Sequence, residues 1–150
     1  MREASCGYIH DSSGSDKLVS FGPQLIVDLG FDPDYMASLG KAPRPDIRGL
    51  VALIDTGATE SYIDSALANE YSFPPIDLDQ AVIPGGKVSV MVHLAQIHVL
   101  ALSFVLYGRL GAIDLESSGL NCQVLLGRTF LQNFEFFYHG PSGNAVIRHP

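Results

Sequence analysis

The sequence predicts an all-β barrel with one short helix, and three observations lead there. Its 150 residues are the length of a single domain. Its hydrophobic fraction of 47% is enough to fill one core. Its apolar residues fall in many short runs of strand type, bounded by Gly- and Pro-containing turns, with a single stretch of helical character.

Taken in order, residues 1–20 are rich in Ser, Gly and Asp and are expected to form a flexible N-terminal segment, leaving 21–150 as the folded domain. Pro23 to Gly30 reads as the first strand, with Leu25, Val27 and Leu29 alternating against Gln24, Ile26 and Asp28. Residues 31–47 hold Pro33, Pro43 and Pro45 and read as an irregular connection with a helical turn near Tyr35 to Leu39. Ile47 to Ile54 is an apolar strand that runs directly into Asp55-Thr56-Gly57. Asp64 to Tyr71 is the predicted helix, capped by Asp64 and ended by Pro74-Pro75. Gln80 to His93 reads as a hairpin around Pro84-Gly85-Gly86. Ala95 to Leu106 is β-rich, and Gly108 to Gly119 is expected to be a loop. Gln123 to Leu126, Phe134 to Tyr138 and Ala145 to Arg148 are the closing strands, with a helical turn over Thr129 to Asn133.

The charge balance excludes one class of partner. Nine Lys+Arg against 16 Asp+Glu give a net charge of −7, which repels phosphate backbones, so no nucleic acid partner is expected. The same charge favours basic substrates only weakly. The longest apolar run, Val99 to Tyr107, is too short to span a bilayer and the first residues carry no apolar signal core, so a soluble protein without a membrane partner is expected. Cys6 and Cys122 lack a C-x-x-C partner. A disulfide between them stays open, but two free thiols is the simpler reading and points to the reducing cytoplasm.

Chemistry concentrates in Ala52-Leu53-Ile54-Asp55-Thr56-Gly57-Ala58-Thr59-Glu60-Ser61. A rigid apolar strand delivers a carboxylate at its end. Thr56 is able to lock the loop by hydrogen bonding, and Gly57 permits a tight turn. A second run, Val124-Leu125-Leu126-Gly127-Arg128, suits a strand passing closely behind that loop, with Gly127 lying 70 residues after Gly57. A third, Ile83-Pro84-Gly85-Gly86-Lys87, puts Gly85 30 residues after Asp55. Other candidates fall away. His93 and His98 are five apart and project to opposite faces of a strand, so no metal site is expected, and no cofactor. Ser61 lies near Asp55 but has no nucleophile elbow or positioned His. Asp114 and Glu116 have no framing motif, and Lys87 and Arg109 read as solvent-facing charges.

On Leu53-Ile54-Asp55-Thr56-Gly57-Ala58-Thr59 and Leu125-Leu126-Gly127-Arg128, the sequence resembles the retropepsin-like aspartic protease family, in particular its stand-alone single-domain bacterial members, over roughly Gly22 to Ile147. The resemblance implies a retropepsin-like closed barrel working as a twofold homodimer. It makes Asp55 catalytic, Thr56, Gly57 and Ala58 its loop support, and Leu125 to Arg128 the structural neighbours. The hairpin from Ile83 to Lys87 becomes a substrate-binding flap. The chain departs from the family at Thr129, where an acidic residue is frequent, and at Thr59, where the retroviral enzymes have Asp; the acid here is Glu60. An Arg128–Glu60 ion pair is expected from the residues themselves.

One Asp-Thr-Gly segment, with no second copy in the chain, supplies one carboxylate. Metal-free peptide hydrolysis needs two, sharing one proton, which a twofold dimer provides. The expected function is therefore an aspartic endopeptidase acting on a peptide or protein substrate. Two alternatives stand beside it. One is a catalytically silent retropepsin-fold module for peptide binding or dimerisation. The other is restricted self-processing within residues 1–20.

Overall fold

The structure, a computed structural model, describes residues 2–150. It is mostly β with few helices. Ten strands run in chain order: β1 (Glu3–Ser5), β2 (Gln24–Gly30), β3 (Ile47–Ile54), β4 (Tyr62–Asp64), β5 (Pro75–Ile83), β6 (Gly86–Val99), β7 (Phe104–Ile113), β8 (Val124–Leu126), β9 (Glu135–His139) and β10 (Asn144–Arg148). Three short helices accompany them: α1 (Gly14–Phe21), α2 (Ser65–Glu70) and α3 (Arg128–Leu131). No helix among the described residues is long and apolar enough to cross a membrane.

Seven strands form one sheet in the order β2-β3-β8-β4-β7-β6-β5, and a further antiparallel ladder pairs β2 with β6 through Leu29 and Ile97. β5 stays outside that ladder as an edge strand. β1, β10 and β9 make a second, three-stranded sheet. Period-two alternation drives the main core: Leu25, Val27 and Leu29 of β2 are buried while Gln24 and Ile26 face outward. Ala52 and Ile54 of β3, Ile63 of β4, Ile97 and Val99 of β6, and Val124 and Leu126 of β8 meet them in the interior. Phe104, Phe130 and Phe134 close one end, with ring centroids 4.7–5.7 Å apart. A smaller cluster of Leu115, Cys122 and Leu125 packs with Val51, Leu53, Tyr62 and Ile113.

Several expectations need correction. Residues 1–20 are not a loose segment over their described part. β1 pairs antiparallel with β10, Cys6 N–H donates to Ala145 O at 2.9 Å, and α1 buries Leu18. Polar composition hid this because few apolar residues carry the packing: Ala4, Cys6 and Leu18 are buried, and Tyr8 packs against the core. The single expected helix is joined by α1, while α3 falls where a helical turn was expected over Thr129 to Asn133. The apolar run from Ala95 to Leu106 is broken by a 3-10 turn at Leu100–Leu102, with Ser103 at φ +47°. The loop expected from Gly108 begins only after Ile113, because the long β6 offers β7 a ladder partner at every residue from Phe104 to Ala112. Its glycines serve different ends: a Cβ on Gly111 would meet the Tyr62 ring at 2.8 Å, whereas Gly108 has open space around it and a φ of +109°.

Asp64 occupies the position before α2 but does not cap it with its side chain. Its buried carboxylate instead accepts from Leu115 and Glu116 N–H at 3.0 and 3.3 Å. The Pro-rich connection after β2 is organised by buried Asp32, which accepts from the Arg44 guanidinium and from Arg44 and Asp34 N–H. The Arg44 hydrogen bonds hold that carboxyl down at about 2.

Candidate active site

β8 lies between β3 and β4, parallel to the first and antiparallel to the second. The chain leaving β3 therefore has to arch over the end of β8 to reach β4, and that arch is residues 55–61. Asp55 sits at its start. Its N–H donates to Leu126 O at 2.9 Å, extending the β3–β8 ladder one residue beyond Ile54. The Asp55 carboxylate is fixed by its own loop: Gly57 N–H donates to Oδ1 at 2.9 Å, and Ala58 N–H donates to the Asp55 carbonyl at 3.3 Å. Among the described residues nothing donates to the other carboxylate oxygen. The side chain is half-buried.

The residues after β8 clamp the arch from beneath. Gly127 has no room for a side chain, since a Cβ there would lie 2.2 Å from Glu60 O and 2.8 Å from Ala58 O. Its N–H donates to Ser61 Oγ at 3.0 Å, and Ser61 also bonds Thr129 Oγ1 at 3.2 Å. Arg128 N–H donates to Ala58 O, and Thr129 N–H to Thr59 O. Thr129, which departs from the resemblance, thus holds the arch through its backbone and its hydroxyl. The expected Arg128–Glu60 ion pair does not form. The Arg128 guanidinium donates instead to Thr56 O at 2.7 Å and Thr59 Oγ1 at 3.0 Å, while Glu60 turns toward a cavity on the other side. Thr56 contributes a backbone carbonyl to this network; its exposed hydroxyl makes no bond within the chain among the described residues.

Asp55 opens onto a cavity of about 470 Å³. The arch (Gly57 to Glu60) forms one wall, and β5 with the start of the hairpin tip (Asp79 to Pro84) forms the other. Tyr62, Val88, Ile113 and Leu125 complete the lining. Pro84 and Gly85 turn the hairpin, with Gly85 at φ +94°, the proline-then-glycine order suited to a type II turn. Of the hairpin residues singled out in the sequence, Ile83 and Pro84 reach the cavity, whereas Gly85, Gly86 and Lys87 form the exposed tip beyond it. Leu125 lines it, and Leu126 faces the core behind.

Several lining residues escaped the sequence reading. Tyr62, Asp79, Ala81, Val88 and Ile113 belong to strands whose faces are set by long-range pairing. One signal was present: Asp79 and Ala81 stand four and two residues before Ile83, so strand periodicity puts all three on one face. Burial raises the Tyr62 phenol above its ordinary value, and the charges of Glu60 and Asp79 add to that. Arg109 draws Asp77 below the ordinary carboxylate range by a 2.8 Å hydrogen bond. Cys6 and Cys122 are free and buried; burial pushes the Cys6 thiol up to about 12 and also raises Cys122. Among the described residues no group of three or more His, Cys, Asp or Glu is arranged to hold a metal.

No family model matches this chain, and no curated protein does. Solved structures similar to it include two retroviral proteases. The solution structure of simian foamy virus (mac) protease matches with 15% identity and a TM-score of 0.46, covering 73% of this chain and 91% of that one. EIAV protease complexed with the inhibitor HBY-793 matches with 22% identity and a TM-score of 0.43, covering 73% of this chain and 85% of that one.

Proposed function

We propose that this protein is an aspartic endopeptidase in which Asp55 of one chain works with Asp55 of a second copy. The observation that carries the reading is the setting of Asp55. Its backbone is pinned to β8, one carboxylate oxygen is held by Gly57 N–H, and the side chain faces a cavity large enough for several substrate side chains.

Two such carboxylates brought close cannot both ionise, so the pair retains one proton. The charged member takes a proton from a water molecule as that water attacks the scissile carbonyl. The protonated member hydrogen-bonds to the carbonyl oxygen, and the leaving nitrogen then receives a proton from the pair. One chain supplies one Asp-Thr-Gly segment, so the second carboxylate comes from a twofold mate. The exposed Thr56 hydroxyl, unbonded within its own chain, is available to the facing loop. The β5–β6 hairpin serves as a flap, with Ile83 and Pro84 toward the substrate and Gly85-Gly86 at its tip. An extended peptide lies along the groove by main-chain hydrogen bonds, its side chains alternating between pockets.

Asp55→Asn tests this reading directly. The substitution keeps the shape of the side chain and removes the shared proton, so cleavage of a mixed peptide library at mildly acid pH is expected to vanish while the circular dichroism spectrum is unchanged. Undiminished cleavage by a clean Asp55→Asn preparation contradicts the assignment.

A further inference from the structure

Resting on the reading of the cavity as a peptide groove, we infer that it selects substrates with a lysine or arginine side chain near the scissile bond, received between Glu60 and Asp79. The two carboxylates come from opposite walls, Glu60 from the arch after Asp55 and Asp79 from β5. Both line the main cavity, and both also line an adjoining recess of about 220 Å³ together with Tyr62, Gln80, Val90 and Gly111.

The charge balance of this recess is one-sided. Arg109 is the cation on its wall, and that guanidinium is already held by Asp77 at 2.8 Å. Among the described residues neither Glu60 nor Asp79 forms an ion pair. Two exposed carboxylates without an ion pair therefore flank a recess whose lining mixes polar groups (Ser61, Gln80 and Arg109) with apolar ones (Tyr62, Val90 and Val92), and the charge of Asp79 also acts on Arg109. Glu60, Tyr62 and Asp79 line the same recess, so a guest cation held there faces both carboxylates. A lysine or arginine side chain matches the combination, with an apolar stem along the valines and Tyr62 and a charged tip between the acids. A metal ion fits less well, since no third ligating side chain joins the pair among the described residues. An acidic side chain in the same place is repelled by both walls.

The test uses peptides identical except for lysine, norleucine or glutamate, scanned through the positions on either side of the cleaved bond. At one of these positions the wild-type protein is expected to favour lysine over norleucine by about fivefold or more in kcat/KM, as expected for two partly exposed ion pairs. That ratio is expected to fall toward one in Glu60→Gln/Asp79→Asn, and to shrink at high salt. Equal treatment of lysine and norleucine by the wild type overturns the inference, as does a preference that persists in the double variant. If the double variant unfolds, the single variants Glu60→Gln and Asp79→Asn report the same ratio.

Equilibrium binding of the same peptides to Asp55→Asn separates this inference from the reading beneath it. Lysine-selective binding that disappears when Glu60→Gln/Asp79→Asn is added upholds the subsite even if no peptide is ever cleaved. Cleavage without lysine preference leaves the endopeptidase reading standing and removes the subsite. Neither binding preference nor cleavage removes both.

Discussion

Gly127 shows how much a single position decides. Its neighbours are fixed backbone carbonyls at Ala58 and Glu60, atoms that cannot swing aside as a side-chain tip would. Gly127→Ala must therefore push the arch away from β8, disturbing the Arg128 and Thr129 backbone bonds that seat it. We expect a loss of roughly 1–3 kcal/mol in a urea unfolding curve. Cleavage should fall by more than the unfolded fraction explains, because the displaced arch carries Asp55. An alanine variant with wild-type stability and activity would show that the arch does not depend on this close approach. At this scale the sequence was legible where a residue type admits few roles. Asp55 at the end of an apolar strand, Gly57 in its turn and Gly127 beneath it were all readable. The expected Arg128–Glu60 pair was a misreading, because opposite charge does not say which atoms of the arch a guanidinium reaches, and Arg128 bonds Thr56 O and Thr59 Oγ1 instead.

At the scale of elements, periodicity located β2, and the turn at Pro84-Gly85-Gly86 located the hairpin, though its arms run from Pro75 to Val99 and not only from Gln80 to His93. Periodicity failed where glycine occupies a strand for close packing, as at Gly111, or for a positive φ, as at Gly108. β7 carries Gly108 and Gly111 and looks like a loop, yet β6 pairs with it nearly end to end. The N-terminal segment failed in the same way. β1 has three residues and α1 eight, too few for a pattern to emerge from serine, glycine and aspartate. Both are nonetheless sealed to the rest of the chain, and Leu18 is only 1% exposed. Leu18→Ala should lower the unfolding free energy by about 2–4 kcal/mol, the range for a buried leucine. A negligible change in the denaturation midpoint would return this segment to the loose state that its composition implies.

At the scale of the whole molecule, the seven-stranded sheet brings residues from 55 to 125 around one cavity. No linear motif encodes that grouping. Strand order decides it: β8 inserts between β3 and β4, and β5 hangs on the sheet edge where its hairpin overlooks the arch. That the chain carries one Asp-Thr-Gly segment was legible from the sequence, and the proposed two-chain site rests on that count. How two copies would meet was not legible, because it depends on surfaces that carry no motif.

Subunit mixing tests that sharing most directly. Wild-type protein is held at fixed concentration while Asp55→Asn protein is added and allowed to exchange. If each site takes one Asp55 from each of two chains, activity should fall as mixed dimers form, to about a tenth at a roughly ninefold excess of the variant. Activity that stays constant throughout the titration, with exchange verified independently, would mean that one chain cleaves alone and would contradict the two-chain site.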